Sequence, residues 1–354
     1  SANSVFTMSE TPAHLPSYLD GLAASILSYV WRTNDIVYLP DSPRGRPGGQ
    51  YFPAPMVEKN GSLDAFRFYI HEATGGSDHI CFNNPSVAVP AIEFFTWPDQ
   101  WYHADADLPD KADPTEMRRV AFIGAASAWA AANLTDDVLP GLVDAVSDFG
   151  YARVAERGIP AANAFLDDTR AAELSSALVL ALNKMNRAVD REVGALESIR
   201  EVYSGSAAAR ALLDARMAQW ELYRDGLREQ LRGYAGVRAR QLGASTPETP
   251  GPSAADRRFA QVIPAVHPDV RGREFYLERR GTFAAALEER REEVNALGLT
   301  SAHTRTIQNF INGKYSVVEI RDWVLAQTGQ GTTTEQVAGY VEILEEVGWV
   351  VIRR

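Results

Sequence analysis

The feature that most constrains the fold is a change in composition near residue 135. Residues 136–243 contain no convincing strand pattern and are rich in Ala, Leu, Arg and Glu, whereas the preceding stretch places short apolar runs between clusters of Pro, Gly and Asp. Apolar residues at helical spacing predict two or three long antiparallel helices in 136–243, with a turn at 204–206. The chain is therefore expected to join an α/β part to a separate helical part.

Two short runs before this change have the pattern of strands. Residues 65–70 (AFRFYI) alternate between apolar and polar side chains, and residues 87–96 (VAVPAIEFFT) form a mostly apolar run with Pro90 near its start. Between the N-terminal helix and the first of these strands, residues 35–61 are rich in Pro, Gly and Asp, which is typical of a long surface loop.

Two helices complete the α/β part. Residues 15–31 have apolar side chains at helical spacing, and Pro16 fits the first turn. A second helix is predicted to begin after Asp113, with Asp113 as N-cap, a proline at the first helical position and Glu116 completing a capping box, and to end near Asn133. A strand, loop, strand, loop and helix in this order is typical of the end of an α/β sheet domain.

The C-terminal part begins after a linker rich in Pro, Ser and Thr at residues 244–255. Strand candidates follow at 259–266 and 275–279. From Ser301 the pattern predicts three short helices and a closing strand at 349–353, an order that resembles a winged-helix module. The predicted regions are 1–135 (α/β), 136–245 (helical), 256–300 (strand and helix connector) and 301–354 (winged-helix-like).

The overall charge excludes several classes of partner. The formal net charge is −11 and the sequence pI is about 5.1, which argues against non-specific nucleic-acid binding and against docking on anionic lipid. The tail from Ser301 has five basic and six acidic side chains, too acidic to follow a phosphate backbone. No apolar run is long enough to span a membrane. The single cysteine, Cys81, excludes an internal disulfide and a cysteine-based zinc cluster and is expected to be a buried structural thiol.

Two polar loops in the α/β part carry the candidate chemistry. Gly75, Gly76, Ser77 and Asp78 precede His79, and paired glycines allow the backbone to approach a ligand closely. An ordinary turn is the simpler interpretation of this segment taken alone.

The second loop contains Tyr102 and His103, followed by Asp105 and Asp107. A neutral imidazole near carboxylates suits a zinc ligand, and a phenol beside it could donate to an oxyanion, but a solvated surface histidine is the simpler interpretation. Elsewhere, aromatic residues alternate with Arg in the helices at Trp220, Tyr223 and Tyr234. At helical spacing such a mixture more often forms core than a nucleic-acid surface.

In combination, the loops resemble a known family. The order GGSDHICF, then VAVPAIEFFTWPDQWYHADADLPDKADPTEMRRVAFIGAASAW, closely resembles the C-terminal third of the M28 family of zinc aminopeptidases. The preceding NSVFTMSETPAHLPSYL is similar to the family's segment downstream of its penultimate metal ligand, so the resemblance covers roughly residues 3–134. It implies a two-zinc exopeptidase on an α/β/α sandwich, in which a bridging hydroxide attacks a peptide carbonyl and a Glu acts as general base.

The resemblance also implies roles for individual residues. His103 matches the last zinc ligand, Tyr102 the phenol that steadies the oxyanion, and Gly76, Ser77 and Asp78, together with Gly75, the loop that lines the substrate pocket. Asp107, Asp110 and Lys111 match the structural end of the motif, whereas Ala104 and Leu108 depart from it.

Most of the family's metal ligands have no counterpart in this sequence. The family needs an early His-x-Asp, a Glu-Glu pair and a further Asp, but the only His-x-Asp here begins at His103, and the Glu pairs at 288–289, 292–293 and 345–346 lie downstream on solvated helix faces. One histidine cannot hold two zinc ions, so we expect at most one weak zinc site here, two zincs in a full-length parent, and no activity from the isolated chain.

Two accounts of this absence remain open. The chain is either an N-terminally truncated piece of a longer aminopeptidase, with Ser1 soon after the missing Asp ligand, or a natural remnant that has lost catalysis and binds a partner. The expected partner is a peptide substrate, with no nucleic acid and no membrane. The sequence gives neither side-chain preference, oligomeric state nor compartment, and the resemblance implies export.

Overall fold

The computed structural model describes residues 5–34, 37–38, 50–51, 56–270 and 282–353. These residues are mostly helical and contain three small sheets, so the mixed α/β composition predicted from the sequence is confirmed. The chain divides into two compact units. The first contains residues 1–79, 90–150 and 195–213, and the second contains residues 80–89, 151–194 and 214–354.

The strands are short and the helices vary from four to 36 residues. The strands are β1 (Val5–Ser9), β2 (Val37–Tyr38), β3 (Gln50–Tyr51), β4 (Phe68–His71), β5 (Glu93–Trp97), β6 (Ile263–Val266) and β7 (Val350–Arg353). The helices are α1 (Tyr18–Asn34), α2 (His79–Asn83), α3 (Pro114–Ala132), α4 (Leu139–Arg153), α5 (Ile159–Asp167), α6 (Leu174–Glu197), α7 (Ile199–Val202), α8 (Ala207–Leu242), α9 (Ala254–Phe259), α10 (Thr282–Glu289), α11 (Arg291–Ala296), α12 (Ser301–Phe310), α13 (Val317–Thr328) and α14 (Thr334–Glu346). Among the described residues, no helix is both long and apolar enough to cross a bilayer.

The first unit is built on a three-stranded sheet with the order β4-β1-β5. β1 is parallel to β4 and antiparallel to β5. Because side chains alternate along a strand, Phe6 and Met8 of β1 share one face, and they form a buried core with Leu27 of α1, Ile123 of α3 and Phe66. The two strands predicted in this part are present as β4 and β5, whereas the central strand β1 was not predicted, and the two candidate loops follow β4 and β5.

Helix α3 begins where the sequence predicts. Asp113 is the N-cap and accepts a hydrogen bond from the Thr115 amide at 3.0 Å, and a proline occupies the first turn. The predicted capping box is wrong, because Glu116 pairs instead with the fully buried guanidinium of Arg119. That guanidinium also lies 5.8 Å from the centroid of the Phe66 ring. Glu116 therefore pairs with the buried cation of Arg119 and does not cap the start of α3.

Two other predicted boundaries in this unit are wrong. Helix α1 begins at Tyr18, so Pro16 lies outside it, and the Ser17 hydroxyl accepts a hydrogen bond from the Leu19 amide at the start of the helix. Strand β5 begins only at Glu93, after Pro90, which has no amide proton to donate to a sheet. Most of the predicted loop at 35–61 lies outside the described residues, apart from the short β2–β3 pair and residues 56–61.

The helical stretch is more divided than predicted. Instead of two or three long helices it contains α4, α5, α6 and α8, with the short α7 and a π-helical turn at Val154–Gly158 between α4 and α5. The predicted turn at 204–206 is confirmed between α7 and α8. The proline after Ile159 lacks an amide proton, which explains why the hydrogen-bond ladder changes at this point.

Trp220 of α8 belongs to the core, as the simpler interpretation predicted, whereas Tyr223 and Tyr234 are half-buried. Trp220 is fully buried and stacks on Tyr151 at 4.2 Å between ring centroids, and Tyr223 meets Trp220 edge-on. The Tyr234 hydroxyl donates to the carboxylate of Asp167 at the end of α5. These rings are engaged within the second unit rather than presented for stacking on a ligand.

The C-terminal helices follow the predicted pattern. Each of α12, α13 and α14 begins with a capping box, in which Thr300, Ser316 and Thr333 are the N-caps. Strand β7 pairs with β6 in antiparallel register. The candidate strand 259–266 is shorter than predicted because residue 259 ends α9, and the candidate strand 275–279 lies outside the described residues.

Candidate functional site

The glycine-rich loop is an open turn after β4. Gly75, Gly76, Ser77 and Asp78 are all exposed to solvent. Gly76 has a φ of 124°, a conformation that side-chain-bearing residues rarely adopt, and a Cβ there would meet no atom within 4 Å. The loop therefore presents backbone to solvent, in a conformation that requires glycine.

Both ends of this loop are anchored by buried side chains. The Thr74 amide donates to the Ser9 hydroxyl at 3.1 Å, at the end of the central strand β1. The Thr74 carbonyl lies 2.7 Å from Nε2 of His79, and the His79 Nδ1 is 3.6 Å from a carboxylate oxygen of Glu93. The His79 side chain is only 6% exposed. From the sequence, His79 is part of the motif and has no predicted role of its own.

The second candidate loop follows β5. The ring of Tyr102 stacks on the imidazole of His103 with 3.8 Å between centroids, and Trp97 meets Tyr102 edge-on at 5.9 Å. Tyr102 is 54% exposed, and His103 is also exposed. His103 has a φ of 58°, in the left-handed region that non-glycine residues seldom occupy. The Trp97-Pro98 peptide bond is cis.

The end of the same loop is held by local contacts. The Lys111 ammonium lies 2.5 Å from an Asp110 carboxylate oxygen and 5.1 Å from the centroid of the Trp101 ring. The hydrogen bond from Lys111 lowers the pKa of Asp110, which stays ionised. Asp105 and Asp107 are exposed. These contacts hold the loop but bring no further carboxylate or imidazole to His103.

The two candidate loops leave the sheet at opposite ends. The glycine loop follows β4, whose last residue His71 is in register with Ser9, whereas Tyr102 and His103 follow β5, whose last residue Trp97 is in register with Val5. Among the described residues, no hydrogen bond, ion pair or ring contact joins Gly75, Gly76, Ser77 or Asp78 to Tyr102 or His103. The structure therefore does not bring the two predicted parts of the site into contact, because β5 runs antiparallel to β1.

The carboxylates at the start of α3 have structural roles. Burial alone would raise the pKa of Asp113, but the hydrogen bonds from Ser62 and Thr115 outweigh it and lower that pKa. Burial raises the pKa of Glu116, and the charge of Arg119 only partly offsets this effect. Asp113 fastens the start of α3 to Ser62 in the preceding loop, whereas Glu116 pairs with Arg119 within α3, so both acids are engaged away from His103.

The residues present do not by themselves fit a zinc pair. Within the part of the chain that the structure describes, no group of three or more His, Cys, Asp or Glu side chains could hold a metal ion. A catalytic zinc takes about three protein ligands, and His103 supplies one exposed imidazole. In the described part of the chain, His103 therefore lacks the further ligands that a catalytic zinc needs.

Two other features lie outside the candidate loops. Cys81, in α2, is half-buried rather than buried as predicted, because α2 is a short helix next to the exposed loop. A cavity of about 600 Å³ lies in the second unit and contains none of the candidate residues. Its lining consists of Ser175, Ser176, Val179, Leu180, Glu248, Thr249 and Pro250.

Comparison with known proteins identified no relative of this chain. No protein-family model, no curated protein and no solved structure matches the chain.

Proposed function

We propose that the chain is the C-terminal part of a zinc aminopeptidase of the M28 type, joined to a helical region and a winged-helix-like module. In this proposal His103 is the last zinc ligand and Tyr102 donates a hydrogen bond to the oxyanion of the peptide under attack. Gly75, Gly76, Ser77 and Asp78 line the path of the substrate. The other metal ligands and the general base belong to sequence that precedes Ser1 in the full-length parent.

The observation that carries the proposal is the conformation of His103. Its left-handed backbone is unfavourable for a residue with a Cβ, and such conformations cluster at functional sites. The imidazole is nevertheless exposed, and its ring stacks on Tyr102. Among the described residues other than glycine, only His103 and Ala88 adopt a positive φ, so this uncommon backbone conformation supports a site at Tyr102 and His103.

The separation of the two loops constrains the substrate. β5 has five residues and therefore spans about 16 Å, roughly the length of five extended peptide residues. A ligand that contacts both loops must be longer than a single amino acid, and a peptide of about five residues has the required length. The proposal assigns bond cleavage to the Tyr102 end and contact with the rest of the peptide to the glycine loop.

The architecture agrees with the coarse outline of the proposal. Helices α1 and α3 cover one face of the three-stranded sheet, as in one layer of a sandwich. Three helices with the β6–β7 pair support the winged-helix-like assignment of the C-terminal part. The residues of α14 that remain exposed are Glu335, Glu342 and Glu346, which favours a protein contact over a DNA contact for that module.

The decisive experiment uses the full-length parent. The coding sequence upstream of Ser1 should contain His-x-Asp and Glu-Glu in frame. His103→Ala in that parent should abolish hydrolysis of an aminoacyl nitroanilide, and Tyr102→Phe should lower turnover roughly 10²–10³-fold, the effect of losing one oxyanion donor. His267→Ala, in the second unit, is the control and should leave turnover unchanged. Normal turnover of Tyr102→Phe would show that the assigned role is wrong.

A non-catalytic binding protein derived from the peptidase fold is the second candidate. It is supported by the exposure of the glycine loop, which is open to a partner. In this case the parent contains no His-x-Asp and Glu-Glu motifs upstream, and the chain binds peptides through the exposed glycine loop and the helical region without cleaving them. Zinc titration of the 354-residue chain tests the ligand count that both cases share, since tight binding of two zincs would contradict it.

A further inference from the structure

We propose that His79 is a positioning residue that holds the glycine loop, and through it the bound peptide, in place. The proposal rests on the proposed function for its substrate part. The loop residues themselves are exposed, so the conformation of the loop must be fixed by contacts at its two ends. His79 contributes to both ends, since it binds the Thr74 carbonyl before the loop and is itself the first residue after it.

The contacts around Thr74 form a clamp with three members. Ser9, fully buried at the end of β1, accepts a hydrogen bond from the Thr74 amide. His79 Nε2 lies 2.7 Å from the Thr74 carbonyl, and Glu93, at the first position of β5, lies 3.6 Å from His79 Nδ1. The clamp therefore joins the start of the loop to the two neighbouring strands β1 and β5.

The chemistry of the imidazole explains why a histidine suits this place. The Thr74 carbonyl is an acceptor, and an imidazole can donate to it from Nε2 while its other nitrogen faces a second group. The Nδ1 atom is buried and makes no hydrogen bond within normal distance, and a carboxylate oxygen of Glu93 lies 3.6 Å from it. Glutamine at this position could donate to the Thr74 carbonyl but would lose the pairing of Nδ1 with Glu93, and alanine would lose both interactions.

The first test measures the clamp directly in the 354-residue chain. Amide exchange at Thr74, followed by NMR, should be about tenfold faster in His79→Ala than in the unsubstituted protein, and intermediate in His79→Gln. Glu93→Gln, which preserves the shape of the acid, should also accelerate it. Exchange in α3 should be unchanged in all three variants. An unchanged Thr74 exchange rate in His79→Ala and Glu93→Gln would overturn the clamp.

The second test asks whether the clamp positions substrate. In the full-length parent, His79→Ala should raise KM for a peptide of five or more residues about tenfold with kcat within twofold, and His79→Gln should restore part of the loss. A fall in kcat with unchanged KM would show a merely structural role and overturn the positioning role. A parent without any aminopeptidase activity would overturn the proposed function and the substrate part of this proposal, whereas the Thr74 exchange rates would still decide the clamp.

Discussion

Gly21 lies where the backbones of α1 and α4 come close together. A Cβ at Gly21 would be 2.5 Å from the Cα of Val146, a distance that real contacts do not show. Since the obstacle is backbone, it cannot be relieved by a side-chain rotation. Gly21→Ala should therefore lower the free energy of unfolding by roughly 1–3 kcal/mol, the usual effect of overpacking, measured by urea denaturation.

Gly124 provides the matched control within α3. A Cβ at Gly124 would meet no atom within 4 Å. Gly124→Ala should raise the free energy of unfolding by about 0.5–1 kcal/mol, because alanine loses less backbone entropy in a helix. Equal effects of the two substitutions would contradict the close approach of α1 and α4.

The candidate residues show what a sequence can reveal about single side chains. Tyr102 and His103 could be singled out because the order of residues within their motif can be recognised in the sequence alone. The role of His79 could not be predicted in this way. Its side chain pairs with Glu93, which lies 14 positions further along the chain on another element. The left-handed backbone of His103 was equally invisible, since no local pattern predicts it for a histidine.

At the scale of elements, the capping boxes show why the C-terminal helices were predicted closely. Thr333 and Gln336 at the start of α14, and Ser316 and Glu319 at the start of α13, satisfy each other within four residues, so the signal is local. The start of β5 was predicted poorly, because strand pairing with β1 decides where it begins. Local signals fix helix ends, whereas strand ends depend on distant partners.

The capping box at the start of α12 contains a histidine, so the stability of this helix should depend on pH. His303 Nδ1 accepts from the Thr300 amide, and Nε2 is buried with no hydrogen-bond partner among the described residues. Burial lowers the pKa of His303 below its usual 6.5. In the unfolded chain this histidine binds a proton at a pH where the folded protein does not, so stability should be complete above pH 6.5 and should fall as the pH decreases through and below this value.

His303→Gln is the variant that tests this dependence. Gln336 occupies the same position in the box of α14, so glutamine should preserve the cap while removing the titrating group. Urea denaturation at pH 7.5 and 5.5 should show a smaller loss of stability for His303→Gln than for the unsubstituted protein. An identical loss in both proteins would exclude His303 as the source.

A buried ion pair joins α4 to α6. Arg153 donates from Nε and Nη2 to the two carboxylate oxygens of Glu192 at 2.9 and 2.7 Å, and both side chains are at most 7% exposed. Glu192→Ala would leave a buried cation without this partner and should cost about 3–5 kcal/mol of stability. The double substitution of Arg153 and Glu192 by Met should cost less than Glu192→Ala alone, by chemical denaturation. A double variant less stable than the single one would contradict this account.

At the scale of the whole molecule, the change in amino-acid composition and the boundaries of the two compact units fall at different places in the chain. The composition changes once, near residue 135, whereas the first compact unit also takes in residues 195–213. A pattern read along the sequence assigns contiguous windows, so it has no means of grouping 195–213 with 1–79. Such long-range grouping follows from side chains such as Ser198, which accepts a hydrogen bond from the Tyr18 amide at 2.9 Å.

In the second unit, the contacts that hold the C-terminal helices to α6 can be tested directly. Residues 244–252 have no regular structure and connect α8 to α9. Across this connection, Asn183 Nδ2 and Lys184 Nζ on α6 each donate to a carbonyl of α13 at 2.7 Å, those of Asp322 and Ala326 respectively. A chain cut at an inserted protease site between Glu248 and Thr249 should therefore stay associated through gel filtration.

Removing the two donors should weaken association of the fragments. A neutral hydrogen bond contributes about 1 kcal/mol and one from an ammonium about 1.5–3, so Asn183→Ala with Lys184→Ala should weaken association of the cut chain roughly 10²–10³-fold. Arg305→Ala, on the exposed side of α12, is the control and should leave association unchanged. Separation of the unsubstituted fragments after cutting would show that the covalent connection, rather than the contacts between α6 and α13, holds the C-terminal helices to the rest of the unit.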